Sequence, residues 1–170
     1  MAKQNIKSKK GFTIIEVVLV LAIAGLIFLM VFIALPAMQR SQRDTQRRDD
    51  MARFMSQLSQ YQANNAGNTP NTRPGVTNVK KEYGDFVSNY LEVGGDSFND
   101  PSTGTSYEIE DVRDCTTDCS NQSNGNDVMG KIYVYTNARC EGENPVKIQG
   151  ARKIAITIKL EGAGVYCGNN

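Results

Sequence analysis

The chain begins polar and basic, becomes wholly apolar, turns amphipathic, and ends in short alternating runs separated by turn residues. From Val17 to Leu35, nineteen consecutive residues carry no charge and no strongly polar group. About twenty such residues cross the hydrocarbon core of a bilayer, so the segment is long enough to insert. Further on, Met51, Phe54, Met55, Leu58 and Tyr61 recur at helical spacing, which predicts a helix with one apolar stripe. The two patterns join into one predicted helix from Phe12 to about Asn64, roughly 80 Å long at about 1.5 Å per residue. Its first half is apolar all round, as a helix buried in lipid or in a bundle should be. Its second half has a single apolar face and should lie across a sheet. Pro36 interrupts the pattern: it removes one helical hydrogen bond and either kinks the helix or marks its exit from the membrane. The run Asn64-Asn65-Ala66-Gly67-Asn68-Thr69-Pro70 ends the helix.

Val79, Tyr83, Phe86, Val87, Tyr90 and Leu91 predict a short second helix, broken by Gly94-Gly95-Asp96. Strands are predicted over Tyr107–Val112, Lys131–Thr136 and Lys153–Leu160, with a short fourth around Val165-Tyr166. In the third, Ile154, Ile156, Ile158 and Leu160 share one face, which should pack on the amphipathic half of the long helix. The expected fold is therefore α+β: a long N-terminal helix on a small antiparallel sheet of three to four strands. Thr116–Gly130 is polar and rich in Asn, Ser and Gly, the composition of a surface loop. Its Asn121-Gln122-Ser123 fits a glycosylation sequon, a weak signal by itself. Asp100-Pro101-Ser102-Thr103-Gly104 reads as a turn.

Charge changes this picture mainly at the start. The first eleven residues hold Lys3, Lys7, Lys9 and Lys10 and no acid. Without them the chain carries 15 basic and 18 acidic residues, a net charge of −3, so no broad basic field exists to attract nucleic acid. Histidine is absent, which excludes His-dependent triads and imidazole bases. No other constellation of nucleophile, base and carboxylate can be placed, and the chain is not expected to be an enzyme. The cluster Arg40, Arg43, Asp44, Arg47, Arg48, Asp49 and Asp50 reads first as a solvated helix face and second as inter-subunit ion pairing. All four cysteines, Cys115, Cys119, Cys140 and Cys167, lie far downstream of the apolar run. That suits disulfides in a domain delivered to an oxidising exterior, with three full pairings open. Zinc is the weaker reading, because two closely spaced cysteines followed by two isolated ones make a poor site. Asp96, Asn99 and Asp100 offer hard oxygens for calcium, but without EF-hand spacing.

The N-terminus carries the functional signal. A secretory signal peptide would have a shorter apolar run followed by a small-residue cleavage site, and neither holds here. An ordinary anchor with its lysines held on the cytoplasmic side remains possible. It leaves Glu16 unexplained: an ionisable side chain at the edge of the apolar run wants a partner, and none is available in its own helix. Lys9-Lys10-Gly11-Phe12-Thr13-Ile14-Ile15-Glu16, continuing into Val17-Val18-Leu19-Val20-Leu21-Ala22-Ile23, closely resembles the type III signal of type IV pilins and pseudopilins. The stretch from Arg43-Asp44-Thr45-Gln46-Arg47-Arg48 through Leu58 and Tyr61 also looks like pilin-like proteins.

The resemblance implies cleavage between Gly11 and Phe12 by a prepilin peptidase, with methylation of the new N-terminus on Phe12. Glu16 becomes the fifth residue of the mature chain, and its implied partner is the Phe12 amino group of a neighbouring subunit. The implied organisation is a leader over 1–11, a membrane and polymerisation helix over 12–38, its amphipathic continuation over 39–64 and a globular head over 65–170. In such proteins a disulfide clasps the C-terminal region, a position that Cys140 and Cys167 match; Cys115 and Cys119 would then pair locally. Pro36 falls where pilin helices carry a proline linked to local melting. No cofactor is implied. The implied partners are copies of the same chain in a helical filament, the peptidase, the assembly platform with its ATPase, membrane lipid before assembly, and a host surface or DNA afterwards. The implied location is the cytoplasmic membrane and then an extracellular pilus serving adhesion, twitching motility or DNA uptake. A pseudopilin or minor pilin is the alternative within the family. A single-pass anchored extracellular binding domain is the alternative outside it.

Overall fold

The computed structural model describes residues 11–72, 74–75, 77–112, 119, 128–149, 152–162 and 164–170. The predicted leader up to residue 10, Cys115 and the Asn121-Gln122-Ser123 triplet lie outside the described residues, as does most of the Thr116–Gly130 loop.

Helix α1 (Ile14–Asn64) is continuous through Pro36. The chain divides into two compact units, Met1–Gln39 and Arg40–Asn170. In the first, α1 is long and apolar enough to cross a membrane, and its side chains are exposed. In the second, the stripe Met51, Phe54, Leu58 and Tyr61 is buried. The helix ends with Ala66 and Gly67 at positive φ, where the Gly67 N–H bonds the Gln62 carbonyl at 2.7 Å. That bond satisfies one of the last-turn carbonyls that every helix leaves open.

Helix α2 (Val79–Phe86) begins at Asn78, whose side chain accepts a hydrogen bond from the Lys81 N–H, a favourable N-cap. It widens into a π-helical turn over Val87–Leu91 and stops in a 3₁₀ turn over Val93–Gly95, where Gly94 takes φ +80°. Phe54 meets Phe86 edge-on at 5.4 Å and stacks on Phe98 at 6.0 Å, so aromatic contacts tie α2 and the following segment to α1.

The strands are β1 (Glu108–Val112), β2 (Lys131–Thr136), β3 (Ala138–Glu141), β4 (Asn144–Lys147), β5 (Ile154–Lys159) and β6 (Val165–Asn169). The main sheet has order β1-β2-β5-β6. The expected antiparallel sheet is present across β2, β5 and β6, while the edge strand β1 runs parallel to β2. A parallel neighbour needs a connection of about a dozen residues or more, and residues 113–130 supply that length. A second small sheet, the hairpin β3–β4, has no counterpart in the sequence reading, because Pro145 and a short charged run mask its alternation.

Alternation sorts the strand side chains. Ile132, Val134, Ile154, Ile156 and Ile158 join Met51, Phe54, Leu58 and Tyr61 in the main core, as the expected packing of strand on helix requires. Tyr133, Tyr135 and Ala155 point to the other side, where they are buried with Cys119 and Ala138. The central strands are thus covered on both faces. A disulfide joins Cys140 of β3 to Cys167 of β6, across 27 positions of sequence. It holds the hairpin against the sheet edge. Cys119 is also disulfide-bonded.

Phe54 is fully buried at the junction of α1, α2 and the Phe98 segment. Phe54→Ala should cost about 3–5 kcal/mol of stability. Val93→Ala, at a site 62% exposed, should stay within about 0.5 kcal/mol. Urea unfolding of the detergent-solubilised chain, followed by circular dichroism, measures both. Removing the Cys140–Cys167 bond by double serine substitution should cost about 3–4 kcal/mol in the same assay, given the loop it closes.

Candidate functional site

Gly11 and Phe12 precede α1 in non-helical backbone. Phe12 is 90% exposed, and a Cβ placed on Gly11 would meet nothing within 4 Å. The peptide bond between them is open to a peptidase. Immediately after it, α1 is capped reciprocally. The Thr13 N–H and hydroxyl donate to Glu16 Oε2 at 2.8 and 2.7 Å, and the Glu16 N–H reaches back to Thr13 Oγ1 at 3.4 Å. This is a Thr-x-x-Glu capping box, legible in the sequence but absent from the reading above. It corrects the expectation that Glu16 finds no partner near its own helix. The partners are neutral, however, and no cation pairs with Glu16 among the described residues. Among the described residues the Glu16 charge is held in a fixed direction and has no compensating cation.

Behind Glu16 the side chains from Val17 to Met38 form an apolar surface; Leu19, Leu26, Phe28, Met30 and Phe32 are each more than half exposed. Monomers in water do not sustain apolar surfaces of this extent, so this one requires lipid or other apolar helices around it.

The charged stretch after Pro36 departs from both expectations. Arg47 is fully buried, and it is neither solvated nor left for another subunit. Its guanidinium binds Asp100 in a bidentate pair, Nε to Oδ2 at 2.7 Å and Nη2 to Oδ1 at 3.1 Å. It also reaches Asp44 Oδ1 at 3.1 Å, Ser102 Oγ at 2.7 Å and Glu161 Oε1 at 3.1 Å. Arg43 binds Glu161 through a second bidentate pair at 2.7 and 2.5 Å. Asp44 accepts the N–H groups of Glu161 and Gly162, both at 2.8 Å. A Cβ on Gly162 would stand 3.0 Å from Asp44 Oδ2, so a larger residue would press on this bond. Arg40, Arg48 and Asp49 are exposed, as a solvated face requires. The reason for the difference lies in partners remote in sequence: Asp100 and Glu161 reach Arg47 only after folding.

The network shifts its members' ionisation. Burial pushes the Asp100 carboxyl up, but the bonds from Arg47, Ser102 and Thr103 outweigh it and hold it at about 2. Hydrogen bonds from Arg43, and then from Arg47, lower the Glu161 carboxyl against a smaller effect of burial. Burial works against the Arg47 charge, and its bonds to Asp100 and Glu161 more than restore it. Nearby, burial raises Asp50, partly offset by the hydrogen bond from the Tyr107 hydroxyl at 2.9 Å.

The three calcium candidates face different partners. Asp100 is engaged by Arg47 and by the N–H groups of its own turn, Ser102 at 2.9 Å and Thr103 at 3.1 Å. That is an Asx turn, the turn expected from Asp100-Pro101-Ser102-Thr103-Gly104. Asn99 accepts a hydrogen bond from the Ser106 hydroxyl at 3.0 Å, and Asp96 pairs with Arg53 at 3.5 Å. Their oxygens do not converge, and no cluster able to hold a metal occurs among the described residues.

The family model of the prokaryotic N-terminal methylation motif matches residues 6–32. The match includes Gly11, Phe12, Thr13 and Glu16 and most of the apolar run. No curated protein and no solved structure matches the chain.

Arg47→Ala leaves Asp100 and Glu161 without their shared cation and should destabilise the head by about 3–5 kcal/mol, whereas exposed Arg48→Ala should change little. The acid limb of stability follows from Asp100. Its carboxyl sits below the ordinary 3.8, at about 2, so its contribution is complete above about pH 4 and is lost as pH falls toward 2. Asp100→Asn should lower stability at neutral pH and flatten this limb. Denaturant midpoints taken between pH 2 and 7 provide the measurement.

Proposed function

We propose, from the premise that this chain is a type IV pilin-like protein with a prepilin signal, that it is the structural subunit of a surface filament. The supporting observation is a coincidence at one place. The methylation motif over residues 6–32 ends in a helix whose exposed apolar surface carries a single carboxylate, Glu16, four residues beyond the new N-terminus. Peptidase cleavage between Gly11 and Phe12 removes the basic leader and creates a positive amino group on Phe12. In the membrane the processed helix is surrounded by lipid. In the filament, neighbouring helices replace that lipid, and Glu16 of one subunit neutralises Phe12 of the next.

The energetics favour a definite register. Apolar helices gain little from water exclusion inside a bilayer, so shape alone would permit many offsets. A charge in apolar surroundings is costly unless compensated, and one particular offset brings the opposite charges together. The Thr13 capping box supports this role by fixing the carboxylate in place. The head supplies the filament's outer surface, and its disulfide across β3 and β6 supports a life outside the cell. No residue is assigned a catalytic task. The same machinery would serve a pseudopilin or a minor pilin; the disulfide-held head favours the exposed pilin among these.

Expression with a matching prepilin peptidase should yield a product lacking residues 1–11 and carrying one added methyl on Phe12, read by intact mass. Retention of the leader would reject the reading. Glu16→Val should insert into the membrane normally and be processed, yet assemble few or no filaments when imaged by electron microscopy. Filaments of ordinary number and length from this variant would reject the pairing role.

A further inference from the structure

A cleft of about 360 Å³ opens on the head between the end of α1 and the turn joining β2 to β3. Gln62, Gly67, Asn68, Thr136, Asn137 and Arg152 are among the residues around it, and none of the described residues lining it is acidic. Its backbone is unusual. Among the described residues, the non-glycine positions with positive φ are Ala66 at +54° and Asn137 at +57°, and both line this cleft. Ala66 takes its left-handed backbone where α1 ends, and Asn137 is a residue type that tolerates it between β2 and β3.

Three of the groups around the cleft are also unspent. The side chains of Thr136, Asn137 and Arg152 make no hydrogen bond or ion pair among the described residues. By contrast, Arg43, Arg47, Arg53 and Arg139 each pair with a carboxylate. Lys153 directs its ammonium to the main-chain oxygen of Asn170 at 3.2 Å, which leaves Arg152 as the available cation. Arg152 lies directly over Gly67: a Cβ there would fall 2.4 Å from its Nε. The end of α1 contributes a partial charge of only about −0.5, less than the full charge of the guanidinium.

We infer that this cleft binds an acidic monosaccharide unit, a sugar ring bearing one carboxylate. A guanidinium presents paired donors that match one carboxylate in bidentate geometry. The Thr136 hydroxyl and the Asn137 carboxamide both donate and accept, as sugar hydroxyls do, and the Asn68 amide already donates to the Asn65 carbonyl at 2.9 Å. The volume lies at the lower end for ligand sites and suits one ring rather than a chain. No aromatic side chain lines the cleft, so it lacks the stacking platform that single-stranded nucleic acid uses.

The test titrates the full processed chain in detergent with glucuronate, glucose and inorganic phosphate, followed by calorimetry. Glucuronate should bind saturably and glucose and phosphate at least tenfold more weakly. Arg152→Gln should weaken glucuronate at least tenfold without moving the thermal midpoint. Gly67→Ala should also weaken it by displacing the guanidinium, and Thr136→Val should weaken it several-fold. Absence of saturable glucuronate binding would overturn the inference, as would binding indifferent to Arg152→Gln. Phosphate binding as tightly as glucuronate would overturn the saccharide assignment and leave a simple anion site. None of these outcomes bears on filament assembly, which is read separately at Glu16.

Discussion

A guanidinium with no access to water sits where the head begins. Arg47 is wholly enclosed, and its three nitrogens donate to oxygens of Asp44, Asp100, Ser102 and Glu161, which come from three segments of the chain. Asp44 belongs to α1, Asp100 and Ser102 to the turn before β1, and Glu161 to the turn between β5 and β6. Burying a charge is expensive, and a bidentate partner with further hydrogen bonds offsets the cost only when the geometry is right. The three segments are therefore held in one arrangement. Slipping any of them would leave an unpaired charge indoors, a larger penalty than a shifted apolar contact. The apolar core supplies most of the gain on folding, while this network selects which packing of helix and turns is realised.

The same helix serves two environments because its composition changes along its length. From Val17 to Met38 its side chains are apolar and largely exposed, which demands lipid or other apolar helices around them. From Arg40 onward it carries one apolar stripe, and that stripe is covered by α2 and the sheet. At the start, Thr13 satisfies the geometry of Glu16 without neutralising it. A carboxylate that is oriented but meets no cation among the described residues, at the edge of an apolar helix, wants a positive partner. In the filament we propose, that partner is the Phe12 amino group of a neighbouring subunit.

Covering the sheet on both sides explains the remainder of the head. One face rests on α1; the other gathers Tyr133, Tyr135, Ala138, Ala155 and Cys119. The hairpin β3–β4 is too short to be stable unaided, and the Cys140–Cys167 bond fastens it to β6. Between β5 and β6, Glu161 and Gly162 are likewise tied to α1 by Arg43 and Asp44.

Much of this was legible in the residues by themselves. The helix from Ile14 to Asn64, the second helix, strands β2 and β5 and the inward row of Ile154, Ile156 and Ile158 all follow from local periodicity, which a sequence states directly. The methylation motif was legible for a related reason: basic residues, glycine, aromatic, carboxylate and apolar run stand side by side in the chain. The capping box of Thr13 and Glu16 was equally local and could have been read. What the tertiary structure alone decided were meetings between distant positions. The burial of Arg47 depends on Asp100 and Glu161, 53 and 114 residues away, and a charged run carries no mark of such partners. The parallel pairing of β1, the second covered face of the sheet and the cleft joining Gly67 to Arg152 and Asn137 have the same origin. Sequence displays the forces that act between neighbours; only the folded chain brings remote charges close enough to need one another.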